Sequence, residues 1–288
     1  MKKKYTQGEH KVRINEVLYH IYTNLSTKFS IEELAKISSY SPFHFQRIFK
    51  EITNKSVITY IKETRLEWAA NLLIFNKEST ITEIAHTCGL KSSATFTNEF
   101  KKYYNMTPSS WRKNGYKIHK NKETEDIQKE VNFEEIKIKK IDDIKIAYMR
   151  HLGYDSCIRD TWQKFLFLLE KQYDVINPKM IGFHHSNPSI TSLKDCRYGA
   201  CIQLDDNKIE PMGDISTGII GGGLFATIKY QGEYNDVLYL YKKLYYEWLP
   251  SSEFEAVNGK AHVIYYKNHF VEENGKFDIE FRIPVTYK

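Results

Sequence analysis

Long apolar runs are absent from this 288-residue chain. No stretch approaches the roughly 18 residues of a membrane span, and Met1-Lys2-Lys3-Lys4 leads into Tyr-Thr-Gln-Gly rather than the apolar core of a secretion signal. No membrane partner is expected, and the cytoplasm is the expected compartment. Cysteine is scarce: Cys88, Cys157, Cys196 and Cys201 show neither C-x-x-C spacing nor paired histidines at zinc-site distances. Buried free thiols are the reading, with no disulfide, structural metal or cofactor. A Ser-His-Asp or Cys-His arrangement is also missing, so the chain does not read as an enzyme.

What is present is charge, unevenly spread. Residues 1–119 hold 19 Lys/Arg against 10 Asp/Glu, whereas residues 120–288 hold 23 against 26, so a basic half of +9 precedes an acidic half of −3. A basic half suggests a polyanionic partner, and the motifs in that half say which.

The basic half contains one pattern twice. Ile31-Glu32-Glu33-Leu34-Ala35 leads into Phe45-Gln46-Arg47-Ile48-Phe49-Lys50, and Ile81-Thr82-Glu83-Ile84-Ala85 leads into Phe96-Thr97-Asn98-Glu99-Phe100-Lys101. The offset is 50 for the first helix of each unit and 51 for the second, so one turn carries an extra residue. Ser30-x-x-Glu33 and Thr80-x-x-Glu83 are capping boxes that start the first helix of each unit. In the second helices Phe45, Ile48, Phe49 and Ile52 form one inward stripe and Phe96, Phe100 and Tyr103 the other. Phe43, Gln46, Arg47 and Lys50 then share the outer face of one, and Ala94, Thr97, Asn98 and Lys101 that of the other. Ile14, Val17, Leu18, Ile21 and Leu25 mark an earlier amphipathic helix. A spacer helix over about 57–75, with Ile58, Ile61, Trp68, Leu72 and Phe75 on one side, separates the two units.

Ile84-Ala85-x-x-x-Gly89-Leu90-x-Ser92, Phe96-x-x-x-Phe100-Lys101-Lys102 and Thr107-Pro108-x-x-Trp111-Arg112 together resemble the signature of the AraC/XylS transcription regulators. Ser39 to Lys50 resembles the first recognition helix of the branch that includes MarA, SoxS and Rob. Leu90, Asn105 and Asn98 depart from the usual aromatic, glycine and arginine. Asn105 still suits a left-handed helix cap, but Asn98 alters base reading by the second unit. In this reading Arg47 can make a bidentate contact to guanine, Gln46 and Asn98 can bond base edges, and Phe43 can pack on a thymine methyl, with Ala94 and Thr97 alongside Asn98. Lys50, Lys91, Lys101, Lys102 and Arg112 are the candidates for the phosphate backbone.

Residues 131–288 read as a second tandem repeat at a constant offset of 79. Ala147-Tyr148-Met149-Arg150-x-x-Gly153 pairs with Ala226-Thr227-Ile228-Lys229-x-x-Gly232, and Arg197-Tyr198 pairs with Lys276-Phe277. Each half reads strand, turn, helix, strand, strand. In the last strand Phe277, Ile279, Phe281 and Ile283 alternate onto one face, leaving Asp278, Glu280 and Arg282 on the other. A carboxylate in an aromatic-rich domain is costly to bury unless something positive meets it, and Arg282 on the same face could be that partner.

Met180-Ile181-Gly182, Arg197-Tyr198-Gly199-Ala200, Gly221-Gly222-Gly223-x-Phe225-Ala226, Trp248-Leu249-Pro250 and Ile279-Glu280-x-x-Ile283-Pro284-Val285 resemble the GyrI-like effector-binding domain. The resemblance implies a ligand cleft in which Glu280 faces an organic cation. Tyr148, Phe183, Tyr230 and Trp248 are the candidate cleft aromatics. His184-His185, as strand neighbours, should face opposite sides and make no metal site.

The expected architecture is an all-α domain with two helix-turn-helix units at 8–114, a linker at 115–130 and an α+β domain at 131–288. The latter is expected to form an antiparallel sheet with helices on one face. The expected function is transcription regulation, activation in particular, through duplex DNA, RNA polymerase and a small-molecule effector. A protein-binding module and, further off, a hydrolase are the alternatives for the second domain.

Overall fold

The computed structural model describes residues 6–90, 92–113, 135–188, 190–205, 208–233, 236–257, 261–272 and 275–288. They form two compact units. Lys91 and the expected linker 115–130 lie outside the described residues.

The helical unit follows its local signals. Helix α1 spans Gln7–Thr23, α2 Ile31–Ile37, α3 Pro42–Thr53, α4 Val57–Phe75, α5 Ile81–Thr87, α6 Ser93–Tyr104 and α7 Pro108–Arg112. Both expected capping boxes form: the Ser30 and Thr80 side chains accept from the Glu33 and Glu83 amides, and each glutamate accepts in return from the cap amide. Ser41 and Ser92 cap α3 and α6. These helices end on Asn54 and Asn105, both at φ 57° in the left-handed region, as asparagine permits. Between α2 and α3 the chain turns on Ser39, and between α5 and α6 on Gly89, again both at positive φ. Tyr40 and Leu90 then donate to the Ala35 and Ala85 carbonyls at the repeat offset.

Two packing expectations need correction. Tyr104, not Tyr103, completes the inward stripe of α6 with Phe96 and Phe100; Tyr103 is 37% exposed and donates to Glu67 on α4. A step of four from Phe100 keeps the face that a step of three leaves. On α4 the assumed single apolar side is wrong, since Ile58 is 66% exposed while Val57, Tyr60, Leu66, Ala69, Ala70 and Leu72 to Phe75 are buried. Burial on several sides marks an interior helix. Trp111 on α7 locks α6 against α4, its indole donating to the Ala70 carbonyl and its ring lying on Phe100 and Tyr104.

In the second unit β1 spans Lys137–Ile141, β2 Ile144–Leu152, α8 Ile158–Tyr173, β3 Met180–His184, β4 Arg197–Gln203, β5 Ile215–Ile220 and β6 Gly223–Glu233. Then follow α9 Asp236–Lys242, extended by a π-helical turn to Trp248, and β7 Phe254–Ala256, β8 His262–Lys267 and β9 Lys276–Tyr287. The sheet order is β1-β6-β9-β8-β3-β4-β2-β5, with β7 on β9. Each repeat thus lends its first strand to the other: β1 pairs with β6, and β5 lies beside β2. Phe183 on β3 pairs with its own repeat equivalent His262 on β8, which places a local two-fold axis between them.

Helices α8 and α9 cover one face. Trp162 on α8 donates to the Tyr198 hydroxyl, 3.1 Å away, and Tyr241 on α9 packs on Phe281. Gly182 makes room there, because a Cβ on it would lie 2.7 Å from the Tyr198 hydroxyl and 2.8 Å from Tyr265. Of the cysteines, Cys88, Cys196 and Cys201 are buried, but Cys157, just before α8, is exposed, contrary to expectation.

Candidate functional site

The outer faces of α3 and α6 present the expected readers. Phe43, 81% exposed, stands with exposed Gln46, Arg47 and Lys50 on α3, and Ala94, Asn98, Lys101 and Lys102 are exposed on α6, with Thr97 half-buried. Arg47 is held by Glu51 one turn on, at 2.8 Å, a link absent from the sequence reading although its i, i+4 spacing could have shown it. Arg112 departs from expectation: its Nε and Nη2 are buried with no hydrogen-bond partner among the described residues, and burial lowers its pKa. Its guanidinium is turned partly into the protein rather than fully toward a phosphate.

Strand register settles which sensor candidates share a face. Cross-strand partners run Lys229, Glu280, Ile264, Ile181, Cys201 and Tyr148 in one row, and Thr227, Arg282, His262, Phe183, Gly199 and Arg150 in the next. Glu280, Tyr148 and Phe183 therefore lie on the face away from α8 and α9. Four strand spacings of about 4.8 Å put Tyr148 roughly 19 Å from Glu280, too far for one small headgroup to meet both. Two candidates lie on the helix-covered side instead. Tyr230 pairs with Ile279 and donates to Asp236 at the start of α9, while Trp248 stacks on Phe254, whose other ring neighbour is Tyr287. Odd-numbered positions of β9 face the helices, so both aromatics belong to that layer.

Glu280 is 2% exposed and already paired. Arg282 Nε donates to Oε1 and Lys139 Nζ to Oε2, each at 2.6 Å. Burial alone would raise its pKa, but hydrogen bonds and charge from Lys139 and Arg282 outweigh burial and hold the carboxyl below its ordinary value. The Arg282 pairing follows the alternative foreseen from strand parity, whereas Lys139 arrives from a strand distant in sequence. Cys201 occupies the equivalent place in the first repeat, so the acid exists on one side of the two-fold only. The His184 and His185 rings do part across the sheet, His184 against Tyr198 and Phe281, and His185 against Phe183.

Paired helix-turn-helix units and a duplicated sheet with a polar face define a DNA-binding regulator with an effector-binding domain. Residues 134–286, over half of the chain, match the family model of the GyrI-like small molecule binding domain, and residues 34–114 match that of a helix-turn-helix domain. The chain belongs to the GyrI-like family, fused to a DNA-binding domain of the AraC and MarA kind. It is 38% identical over 104 residues to the probable transcription factor PqrA of Proteus vulgaris, covering 35% of this chain and 84% of that protein. Against the multiple antibiotic resistance protein MarA of Escherichia coli strain K12 it is 33% identical over 101 residues, covering 35% of this chain and 79% of that protein. The crystal structure of the EcmrR C-terminal domain aligns with 55% of this chain and 100% of its own, at 15% identity and a TM-score of 0.44. Among the described residues no helix is long and apolar enough to cross a membrane.

Proposed function

We propose that the protein is a one-component transcription activator that binds an asymmetric duplex site as a monomer, α3 entering one major groove and α6 the next. The observation that carries this reading is the repeat-equivalent exposure of the outer faces of α3 and α6. The 19 residues of α4 span about 28 Å at 1.5 Å each, close to the roughly 34 Å between successive grooves on one side of B-DNA. RNA polymerase is the partner through which binding becomes activation, and run-off transcription on a bound promoter tests that step. Sedimentation on a defined site of roughly 20 base pairs should give one protein per duplex. An obligate two-to-one complex on a palindrome would sink the monomer reading.

Discrimination should rest chiefly on the first unit. Arg47→Ala is expected to cost about 1–3 kcal/mol on the specific site and to relax preference at one guanine. Asn98→Ala should cost less, because a shorter, neutral side chain makes the weaker base contact. Competition binding against single-base variants checks the ranking, which equal losses would overturn.

The effector site in this reading is the sheet face that carries Glu280 and Phe183. The burial of Tyr148, Phe183 and Glu280, each under a tenth exposed, favours one second reading, a domain that engages another protein. Native mass spectrometry of protein purified from its host separates the two: a small copurifying mass supports the sensor, and a copurifying polypeptide supports the alternative.

A further inference from the structure

The outer faces of the two reading helices differ in charge at one place. The repeat offset of 51 pairs Arg47, Lys50 and Glu51 on α3 with Asn98, Lys101 and Lys102 on α6. Glu51 thus stands where the second unit has a lysine, and the residue one turn back is arginine in the first unit and asparagine in the second.

Nothing local favours an acid at that position. Glu51 lies in the last turn of α3, the negative end of the helix dipole, where cations such as Lys50, and Lys101 and Lys102 on α6, are the favoured charge. With the arginine preceding the glutamate, the i, i+4 pair also runs in its weaker order. A carboxylate that is 53% exposed beside basic residues opposes binding of a polyanion whatever its sequence. A charge at odds with its helix, its pairing order and its partner surface is not there for the stability of α3.

Its effect is visible at Arg47. Glu51 Oε1 accepts from Arg47 Nη1 at 2.8 Å, and among the described residues Nε and Nη2 of Arg47 make no hydrogen bond. The carboxylate occupies one amino group and leaves the Nε–Nη2 edge, whose parallel N–H groups match the O6 and N7 acceptors of guanine. An untethered arginine loses more rotamer freedom on binding and is satisfied as well by a phosphate as by a base. Held by Glu51, the side chain has less freedom to lose, and its pull toward phosphate is partly cancelled.

Resting on the reading of α3 as a major-groove helix, we propose that Glu51 is a positioning residue that determines specificity. It makes no base contact itself, but fixes Arg47 for guanine, lowering affinity for DNA in general while raising discrimination at one base pair. Asn98 and Lys102 cannot form such a pair, so the device belongs to the first unit alone.

The test uses the full chain and a duplex that it selects from a randomised pool, with single-base variants of that duplex and a scrambled duplex as competitors. Arg47→Ala identifies the base pair that Arg47 reads, as the one whose preference it relaxes. Glu51→Gln should lower preference at that same base pair by about twofold to fivefold and leave the others unchanged. Binding to the scrambled duplex should instead strengthen by about twofold to fivefold, because a like charge has left the interface. In the Arg47→Ala background Glu51→Gln should alter no base preference, while the gain on scrambled DNA persists. A residue that merely supported the helix would not produce that split. Equal preference in the parent and Glu51→Gln, with Arg47→Ala effective, overturns the inference and leaves the reading of α3 standing. A loss of preference that persists in the Arg47→Ala background overturns it too, since Glu51 would then act without Arg47. If Arg47→Ala relaxes no base pair, or the pool yields no selected duplex, the reading of α3 falls and the inference with it.

Discussion

Gly89→Ser is expected to destabilise the helical unit by about 2–5 kcal/mol, combining left-handed strain of about 1–2 kcal/mol with overpacking of about 1–3. Gly89 sits at φ 69°, and a Cβ there would lie 2.8 Å from the carbonyl oxygens of both Leu25 and Ser26. Those atoms are backbone and cannot swing aside. The duplication supplies its own control, because the equivalent turn in the first unit holds Ser39 at φ 54° with its side chain in solvent. Ser39→Gly should shift stability by no more than about 1 kcal/mol, since relief of strain offsets the entropy glycine adds to the unfolded chain. Urea unfolding of the two variants measures the difference, and affinity for a specific site should fall with Gly89→Ser alone. Equal costs would mean that the carbonyls of Leu25 and Ser26 do not dictate the residue at 89.

Acid should weaken the sheet unit well before its carboxylates titrate. Burial, with nearby His262 and His269, pushes His184 down to about 3, and burial beside Arg159 pushes His269 to about 4. Both pKa values are depressed below the unfolded value near 6.5, so the unfolded chain binds protons that the folded one refuses. Stability is then complete above about pH 6.5 and falls as pH drops toward the folded values. At pH 5 each histidine should account for about 2 kcal/mol of lost stability, since one pKa unit is about 1.4 kcal/mol. Hydrogen exchange of β3 and β4 amides at pH 7 and pH 5, corrected for intrinsic rates, reads the loss in this unit. His184→Leu also removes a buried ring nitrogen with no hydrogen-bond partner among the described residues, and should recover about 2 kcal/mol of the loss at pH 5. A variant as acid-sensitive as the parent would show that His184 protonates freely in the folded state.

How far the sequence could be read depended on how local the signal was. Capping boxes, the Asn105 cap and the alternation of β9 are written within a few residues of where they act, and each formed as expected. The face of α4 was illegible because buried residues surround most of that helix, leaving no period to detect. Lys139 could not be found as a partner of Glu280, because it reaches β9 from a strand 141 residues away. Tyr230 and Trp248 were misplaced for a related reason: aromatic character marks burial, but only strand register says on which side of a sheet.

The exchange of first strands carries a consequence for the way the second unit comes into being. Strand β1 hydrogen-bonds to β6, which begins about 80 residues later in the chain, and β5 lies on the half already made. During synthesis β1 must therefore wait as an unpaired edge, and neither half can complete its sheet alone. Closure of the full sheet therefore waits for both halves. A chain cut between the halves would yield fragments that each hold the other's missing strand and gain stability by recombining.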